Sequence, residues 1–150
     1  MRLVRQFREY VADGAVRRVS ADAERSKSLL AESERRMRSL KEKIEKLGVS
    51  DENANDYVEY CYDLLMHAVR ASMIAEGYNA SGQGAHEAEV AYLRVLNFSE
   101  ADVQFADQLR YHRNGILYYG KSLDAEYAEK AISFVKKHHP KLVRLARRPS

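Results

Sequence analysis

An arginine among apolar residues is the strongest candidate for chemistry in this sequence. At about 100° per residue of helix, Arg113 lies on the same side of a helix over residues 99–120 as Phe105, Leu109 and Ile116. Because an unpaired charge is costly to bury, we expect its guanidinium to pair with an acid, to snorkel to the protein surface or to face a wet cavity. A guanidinium also presents a bidentate fork that suits phosphate. The predicted ligand or phosphate contacts are Arg113, Asn114, Arg110 and His112.

Two interpretations of this helix stay open. In the first, it is the central helix of one bundle, and Arg113 pairs with an acidic residue of the third helix. In the second, it lines a symmetric dimer interface that holds a polar site. No Lys, Asp or Glu occurs between Gln108 and Gly120, and a helix without an ordinary charged face is buried on several sides or lies in an interface. The predicted interface residues are Tyr111, Tyr118, Tyr119 and Gly115, the last admitting a second helix closely.

The segment LRYHRNGILYYGKSL at residues 109–123 resembles the hallmark helix of HEPN domains. The wider order of elements agrees with that family: two long antiparallel helices, a glycine-containing loop with a short HEAEVAYL helix, the helix with the Arg-Asn pair, and a final amphipathic helix. The resemblance covers about residues 20–147. It implies an all-α fold, an up-and-down four-helix bundle of HEPN type with extra short helices.

In the HEPN family, an Arg, a polar residue that is often Asn, and a His a few residues later form a metal-independent ribonuclease site, where two copies meet across a dimer. Arg113 and Asn114 match the first half of that motif. The positions where His is expected hold Tyr118, Tyr119 and Gly120. Attack by the RNA 2′-OH needs a group that transfers protons near neutral pH, as imidazole does, whereas tyrosine has an ordinary pKa of about 10. The pattern therefore predicts binding without cleavage.

Three functions follow from these observations. The resemblance implies a homodimer that binds a nucleotide, RNA or a minimal nucleotidyltransferase partner, as in toxin–antitoxin operons, without cutting RNA. The first alternative is a metal-independent ribonuclease whose candidate catalytic residues are Arg113, Asn114, Tyr118 and Tyr119. The second alternative is a helical-bundle adaptor whose interface helix only mediates assembly.

Other chemistry is poorly represented in the sequence. His86 and Glu87 lack the second His of a zinc-protease motif, and the sequence has no pair of Glu-x-x-His motifs for a di-metal bundle. We therefore expect no metal and no cofactor. Cys61 lies in the apolar stripe of the third helix, and we expect it to be a small buried hydrophobe rather than a nucleophile.

The elements that position these residues are all predicted to be helices, and no strand is predicted. Ser20, Ser50, Ser99 and either Ser122 or Asp124 are the expected N-caps of the four longest helices, and Tyr78–Gly84 is the one clear loop signal. Pro140 is expected to kink or break the last helix. The predicted helices cover residues 3–11, 20–47, 50–77, 86–96, 99–120 and 122 or 124 to about 147.

Length and charge limit the remaining possibilities. The chain has 150 residues, which predicts one helical domain with its core at about residues 20–147, a short N-terminal helix within 1–19 and a tail at 148–150. Its net charge of +3 is uneven, because both ends are basic and the middle is acidic. The basic segment 136–148, KKHHPKLVRLARR, is expected to be a partly frayed tail, or else to contact RNA or an acidic partner. One cysteine and no apolar segment long enough for a membrane span or a signal favour the cytoplasm.

Overall fold

The computed structural model describes residues 3–148. Within that range the chain is predominantly helical, so the predicted all-α class is confirmed. The elements in chain order are α1 (Phe7–Ala12), β1 (Val16–Arg18), α2 (Ala23–Leu47), α3 (Ala54–Ala75), β2 (Tyr78–Ala80), α4 (Ala85–Val95), α5 (Glu100–Tyr119) and α6 (Ala125–Ala146). The first two residues of the predicted N-terminal segment, and residues 149–150 of the predicted tail, lie outside the described residues.

Helix α3 is the centre of the packing. It contacts α2, α4, α5 and α6, and its apolar residues, among them Val58, Leu64 and Val69, have no exposed surface. Helix α5 buries mainly the side that carries Val103 and Leu109. The interpretation that made α5 the central helix is therefore wrong, because α3 is apolar on nearly every side and α5 is not.

The expectation of no strand is wrong. Strands β1 and β2 pair antiparallel, with Val16 opposite Ala80 and Arg18 opposite Tyr78. Part of the predicted loop at Tyr78–Gly84 is therefore a strand. Three residues are too few to show the alternation that identifies a strand in a sequence, and this pairing depends on backbone hydrogen bonds between distant segments.

Two helices begin later than predicted. Helix α2 is capped by Asp22 rather than Ser20, and the Asp22 carboxylate accepts the backbone N–H of Arg25 at 2.9 Å. The N-cap of α3 is Asn53 rather than Ser50, although the Ser50 N–H donates to the Asn53 side-chain oxygen at 2.9 Å. A carboxylate is a favourable cap because its charge also interacts with the positive end of the helix dipole.

Helix α6 continues through Pro140 to Ala146. The predicted break at Pro140 is wrong, and the basic segment that was expected to be partly frayed is helical as far as Ala146. Val135 before the proline, and Leu142 and Val143 after it, are all buried, so core packing on both sides offsets the single hydrogen bond that proline removes. Among residues 3–148, no helix is both long and apolar enough to cross a membrane.

Candidate functional site

Helix α5 presents the predicted site residues. It begins after Ser99, whose hydroxyl accepts the Asp102 N–H at 3.1 Å, and it ends at Gly120 in the left-handed conformation. Both ends agree with the sequence prediction. Because Val103 and Leu109 anchor one side in the core, the orientation of every other side chain on α5 is set by helix geometry.

Arg113 pairs with Asp63 of α3. The Arg113 Nη2 atom lies 3.3 Å from Asp63 Oδ1, and both side chains are partly exposed. The guanidinium also lies 5.6 Å from the centre of the Tyr62 ring. The expectation that Arg113 pairs with an acid of the third helix is therefore confirmed. The pair is partly accessible to solvent, with the Arg113 side chain 20% and the Asp63 side chain 31% exposed.

Two polar atoms beside this pair lack hydrogen-bond partners. Within the described residues, neither the Arg113 Nε nor the Tyr62 hydroxyl has one, although both atoms are buried. Burial raises the pKa of Tyr62 well above its usual value, and the Glu89 carboxylate adds to the effect. Tyr62 is therefore a neutral phenol at physiological pH. Unsatisfied buried polar groups are rare in folded proteins; besides these two, the described residues have two others, the hydroxyls of Ser72 and Tyr127.

Arg110, one turn before Arg113, is fully engaged with acids of its own chain. Its Nε donates to Asp107 Oδ1 at 2.7 Å, and its Nη2 lies 3.8 Å from Glu87 Oε1. Asp107 is buried. A ligand phosphate at Arg110 would have to replace one of these carboxylates, so its predicted ligand contact stays a prediction and its observed role is to join α5 to α4.

His112 faces a different helix from Arg113. Its ring packs edge-on against Tyr127 of α6, with 4.7 Å between ring centres. Burial lowers the pKa of His112, and the nearby Lys121 lowers it further. Imidazole and guanidinium thus lie on different sides of α5, and the structure does not bring these two predicted ligand contacts together.

The aromatic face of α5 is open. We use this name for the exposed tyrosines Tyr111, Tyr118 and Tyr119; Tyr118 is 73% and Tyr119 79% exposed. A groove of about 540 Å³ runs beside the three tyrosines, and it is also lined by Asn114, Gly115 and Lys121. The structure therefore brings the predicted interface residues and Asn114 to one surface.

Gly115 is covered by its own chain. A Cβ atom at this position would lie 3.3 Å from the Cδ of Lys121, and the Lys121 N–H donates to the Gly115 carbonyl at 3.2 Å. Asn55 of α3 holds this loop by donating to the Lys121 carbonyl at 2.9 Å. The Lys121 stem lies over Gly115 in this structure, and the close approach of a second helix at Gly115 stays a prediction.

Sequence reasoning missed His67. It lies one turn after Asp63 on α3, and its Nδ1 donates to the Asp63 carbonyl at 2.7 Å. A carbonyl accepts hydrogen bonds only, so Nδ1 carries the proton and Nε2 keeps a free lone pair. The spacing of four residues from an acid was visible in the sequence, but the position of that acid beside Arg113 was not.

A second ion pair, between Arg70 of α3 and Glu89 of α4, was also missed. Arg70 donates to the two Glu89 oxygens at 2.5 and 3.0 Å. Desolvation opposes the charge of Glu89, but hydrogen bonds from His86 and Arg70 outweigh it and lower the pKa of the carboxyl. The sequence hint of this pair was Glu89 itself, an acidic residue inside the apolar run of α4. The pair joins α3 to α4.

The described residues also bear on metal and thiol chemistry. Among residues 3–148, no three His, Cys, Asp or Glu side chains are arranged to hold a metal ion. Cys61 is fully buried, as predicted, and burial raises the pKa of its thiol to about 12. A thiol with that pKa is not a nucleophile at neutral pH.

No protein-family model, curated protein or solved structure matches this chain. The interpretation of the site therefore rests on its own geometry and chemistry.

Proposed function

We propose that this chain is a HEPN-like module that forms a homodimer through the aromatic face of α5 and binds a nucleotide or RNA at Arg113 without cleaving it. The resemblance of residues 109–123 suggested the family, and the four-helix bundle of HEPN type is part of the proposal. A minimal nucleotidyltransferase partner, in a toxin–antitoxin setting, also stays a prediction of that resemblance.

The observation that carries the proposal is the exposed aromatic face. Exposed tyrosines concentrated on the last turns of one helix are typical of interaction surfaces, because tyrosine buries much apolar area and keeps a hydroxyl for hydrogen bonding. Tyr118 and Tyr119 are the most exposed large apolar residues of α5. A dimer would cover them.

Support for an anionic ligand comes from the Arg113–Asp63 pair. An ion pair that is partly exposed to solvent contributes little to stability, about 0–1 kcal/mol. A phosphate can therefore compete with Asp63 for the guanidinium at low cost. Asn114 lines the adjacent groove and offers both a donor and an acceptor.

One observation favours ribonuclease activity as the second candidate. Imidazole is the usual general base of proteins, and the His67 ring is hydrogen-bonded to the backbone carbonyl of Asp63, the residue that pairs with Arg113. In that case α3 rather than α5 would supply the imidazole. The Tyr118 and Tyr119 phenols are weaker bases for the same step.

Two measurements test the proposal. Light scattering should give a mass near twice 17.2 kDa, and Tyr118→Ser with Tyr119→Ser should return the chain to the monomer mass. Leu47→Ser, at an equally exposed apolar residue of α2, is the matched control and should leave the dimer intact. A monomeric wild-type chain at high concentration would refute the dimer.

RNA binding and cleavage are then measured without metal. We expect Arg113→Ala to weaken binding of single-stranded RNA in a salt-dependent manner, and the wild-type protein to leave the RNA uncut. Unchanged affinity would refute the role of Arg113. If the wild-type protein cleaves RNA and both Arg113→Ala and His67→Ala abolish cleavage, the ribonuclease function replaces the proposed function of binding alone.

A further inference from the structure

The exposed residues in the C-terminal half of α6 are basic except for Pro140. From Lys130 to Arg148, both included, the chain has seven Lys and Arg residues and no Asp or Glu. At about 100° per residue, Lys137, Lys141 and Arg144 fall within about 60° of one another, and Arg148 follows just after the helix ends at Ala146. We call these four residues the basic ridge: Lys137, Lys141, Arg144 and Arg148.

The cations of the basic ridge are largely unpaired. Within residues 3–148, Lys137, Arg144 and Arg148 have no acidic partner, in contrast to Arg147, which lies 2.8 Å from Glu34 of α2. Lys141 donates to the Asn97 carbonyl, a neutral group, at 2.9 Å. The ridge therefore keeps its full positive charge.

The length of the ridge suits a polyanion. Lys137 and Arg144 are seven residues apart on α6, which is about 10 Å along the helix axis, and Arg148 lies beyond the end of the helix. A small anion would contact one or two of the four cations, whereas a nucleic-acid backbone presents phosphates along the whole distance. Asp102, which lines the same surface groove as Lys137, lies 3.3 Å from His138 Nε2.

The composition of the ridge also distinguishes between classes of polyanion. Helix α6 has no exposed large apolar residue, whereas protein interfaces have an apolar core and few lysines. An amphipathic helix binds membranes by inserting its apolar face, and the apolar face of α6, including Leu142 and Val143, is buried in the core. Binding by charge alone is typical of contacts to nucleic-acid phosphates.

From these observations we infer that the basic ridge of α6 binds the phosphate backbone of nucleic acid, independently of base sequence. This surface is separate from Arg113 and the aromatic face of α5, and it does not depend on dimer formation or on the proposed function of α5.

The test measures binding of the full-length chain to fluorescein-labelled poly(U) RNA and to duplex DNA by fluorescence anisotropy over a salt series. Four phosphate contacts predict a log–log salt slope of about −3 for a single strand. The variant Lys137→Gln/Arg144→Gln/Arg148→Gln removes three charges from exposed positions, so we expect it to fold. It should lose affinity for both polymers by about tenfold or more, and its slope should become shallower by about 2.

A matched variant controls for net charge. Arg8→Gln/Arg17→Gln/Lys46→Gln removes the same three charges from exposed residues outside α6, and it should retain the salt slope. An equal loss of affinity in both variants would overturn the proposal that the ridge binds nucleic acid. So would a failure of the wild-type chain to bind either polymer at low salt. Tighter binding to poly-glutamate, or to vesicles of phosphatidylcholine and phosphatidylserine in equal parts, than to nucleic acid would overturn the choice of partner. Duplex DNA separates this outcome from the test of α5, because Arg113→Ala should leave the affinity for duplex DNA and its salt slope unchanged.

Discussion

Ser33 of α2 and His139 of α6 are hydrogen-bonded in the protein core, with 2.9 Å between Ser33 Oγ and His139 Nε2. The same hydroxyl donates to the Leu64 carbonyl of α3 at 2.5 Å. A hydroxyl that donates its only proton to a carbonyl must accept from the imidazole, so His139 carries its proton on Nε2. Three helices are thus joined by one buried polar chain.

Acid should destabilise the protein through His139. Burial lowers the pKa of this imidazole, so the folded protein binds its proton less readily than the unfolded chain, whose His has a pKa of about 6.5. The free energy of unfolding should therefore be unaffected above about pH 6.5 and should fall as the pH decreases from there toward the folded pKa. Urea unfolding over this pH range tests the prediction.

The control variant is His139→Gln. Its free energy of unfolding should decrease less with acid than that of the wild type. The remaining decrease is due to groups such as His112 and His138, whose pKa values burial also lowers. An equal decrease in the variant would contradict the assignment.

Removal of the Ser33 hydroxyl should be costly. Ser33→Ala leaves the Leu64 carbonyl and the His139 Nε2–H without this partner, and an unsatisfied buried group costs about 1–3 kcal/mol. We expect the free energy of unfolding to fall by that amount in a denaturant titration. Ser28→Ala, at an exposed position of the same helix, should be neutral or slightly stabilising, since alanine favours helix. Equal stability of the two variants would contradict the buried role of Ser33.

Gly77 should not tolerate a side chain. A Cβ atom there would lie 2.7 Å from the Val19 carbonyl oxygen, and its φ of +82° disfavours other residues. Gly82 has a similar φ of +73° but open space around it. We therefore expect Gly77→Ala to lower the melting temperature more than Gly82→Ala, and the difference measures the contact between the strand region and the end of α3. Equal shifts of the melting temperature in the two variants would show that the loss of stability comes from the positive φ alone and not from the contact with Val19.

Asp63 should restrain ligand binding by Arg113. If a phosphate competes with this carboxylate, Asp63→Asn should raise the affinity for single-stranded RNA by about twofold to fivefold, the equivalent of a partly exposed ion pair. Asp56→Asn makes the same charge change on α3 at an exposed position and should have a smaller effect. The measurement is a binding titration at fixed salt. A lower affinity of the Asp63→Asn variant would show that the carboxylate positions Arg113 for the ligand instead of competing for it.

The helices were largely predictable from the sequence. Gly48, Ser99 and Gly120 marked helix ends that the structure confirms, because these residue types satisfy the free backbone groups at a helix end by local geometry. Apolar spacing likewise placed Arg113 on the core side of α5, and an internal acid was its expected partner.

The sequence could not show which side chains meet across helices. The choice of Asp63 as partner of Arg113, the packing of His112 against α6 and the cover of Lys121 over Gly115 depend on how helices are rotated and spaced. The strand pair formed by Val16–Arg18 and Tyr78–Ala80 joins segments that are distant in the sequence. Each of these contacts depends on the packing of elements that local propensity does not describe.

The sequence by itself determined the helical class, the position of most helices, the uneven charge and the unusual composition of α5. These properties arise from local backbone preferences and from the periodicity of apolar residues. Only the tertiary structure decided that α3 is the central helix, that Arg113 meets Asp63 and that the basic residues of α6 form one exposed ridge. The physical reason is that burial and ion pairing depend on distances between helices, and those distances result from packing the whole core at once.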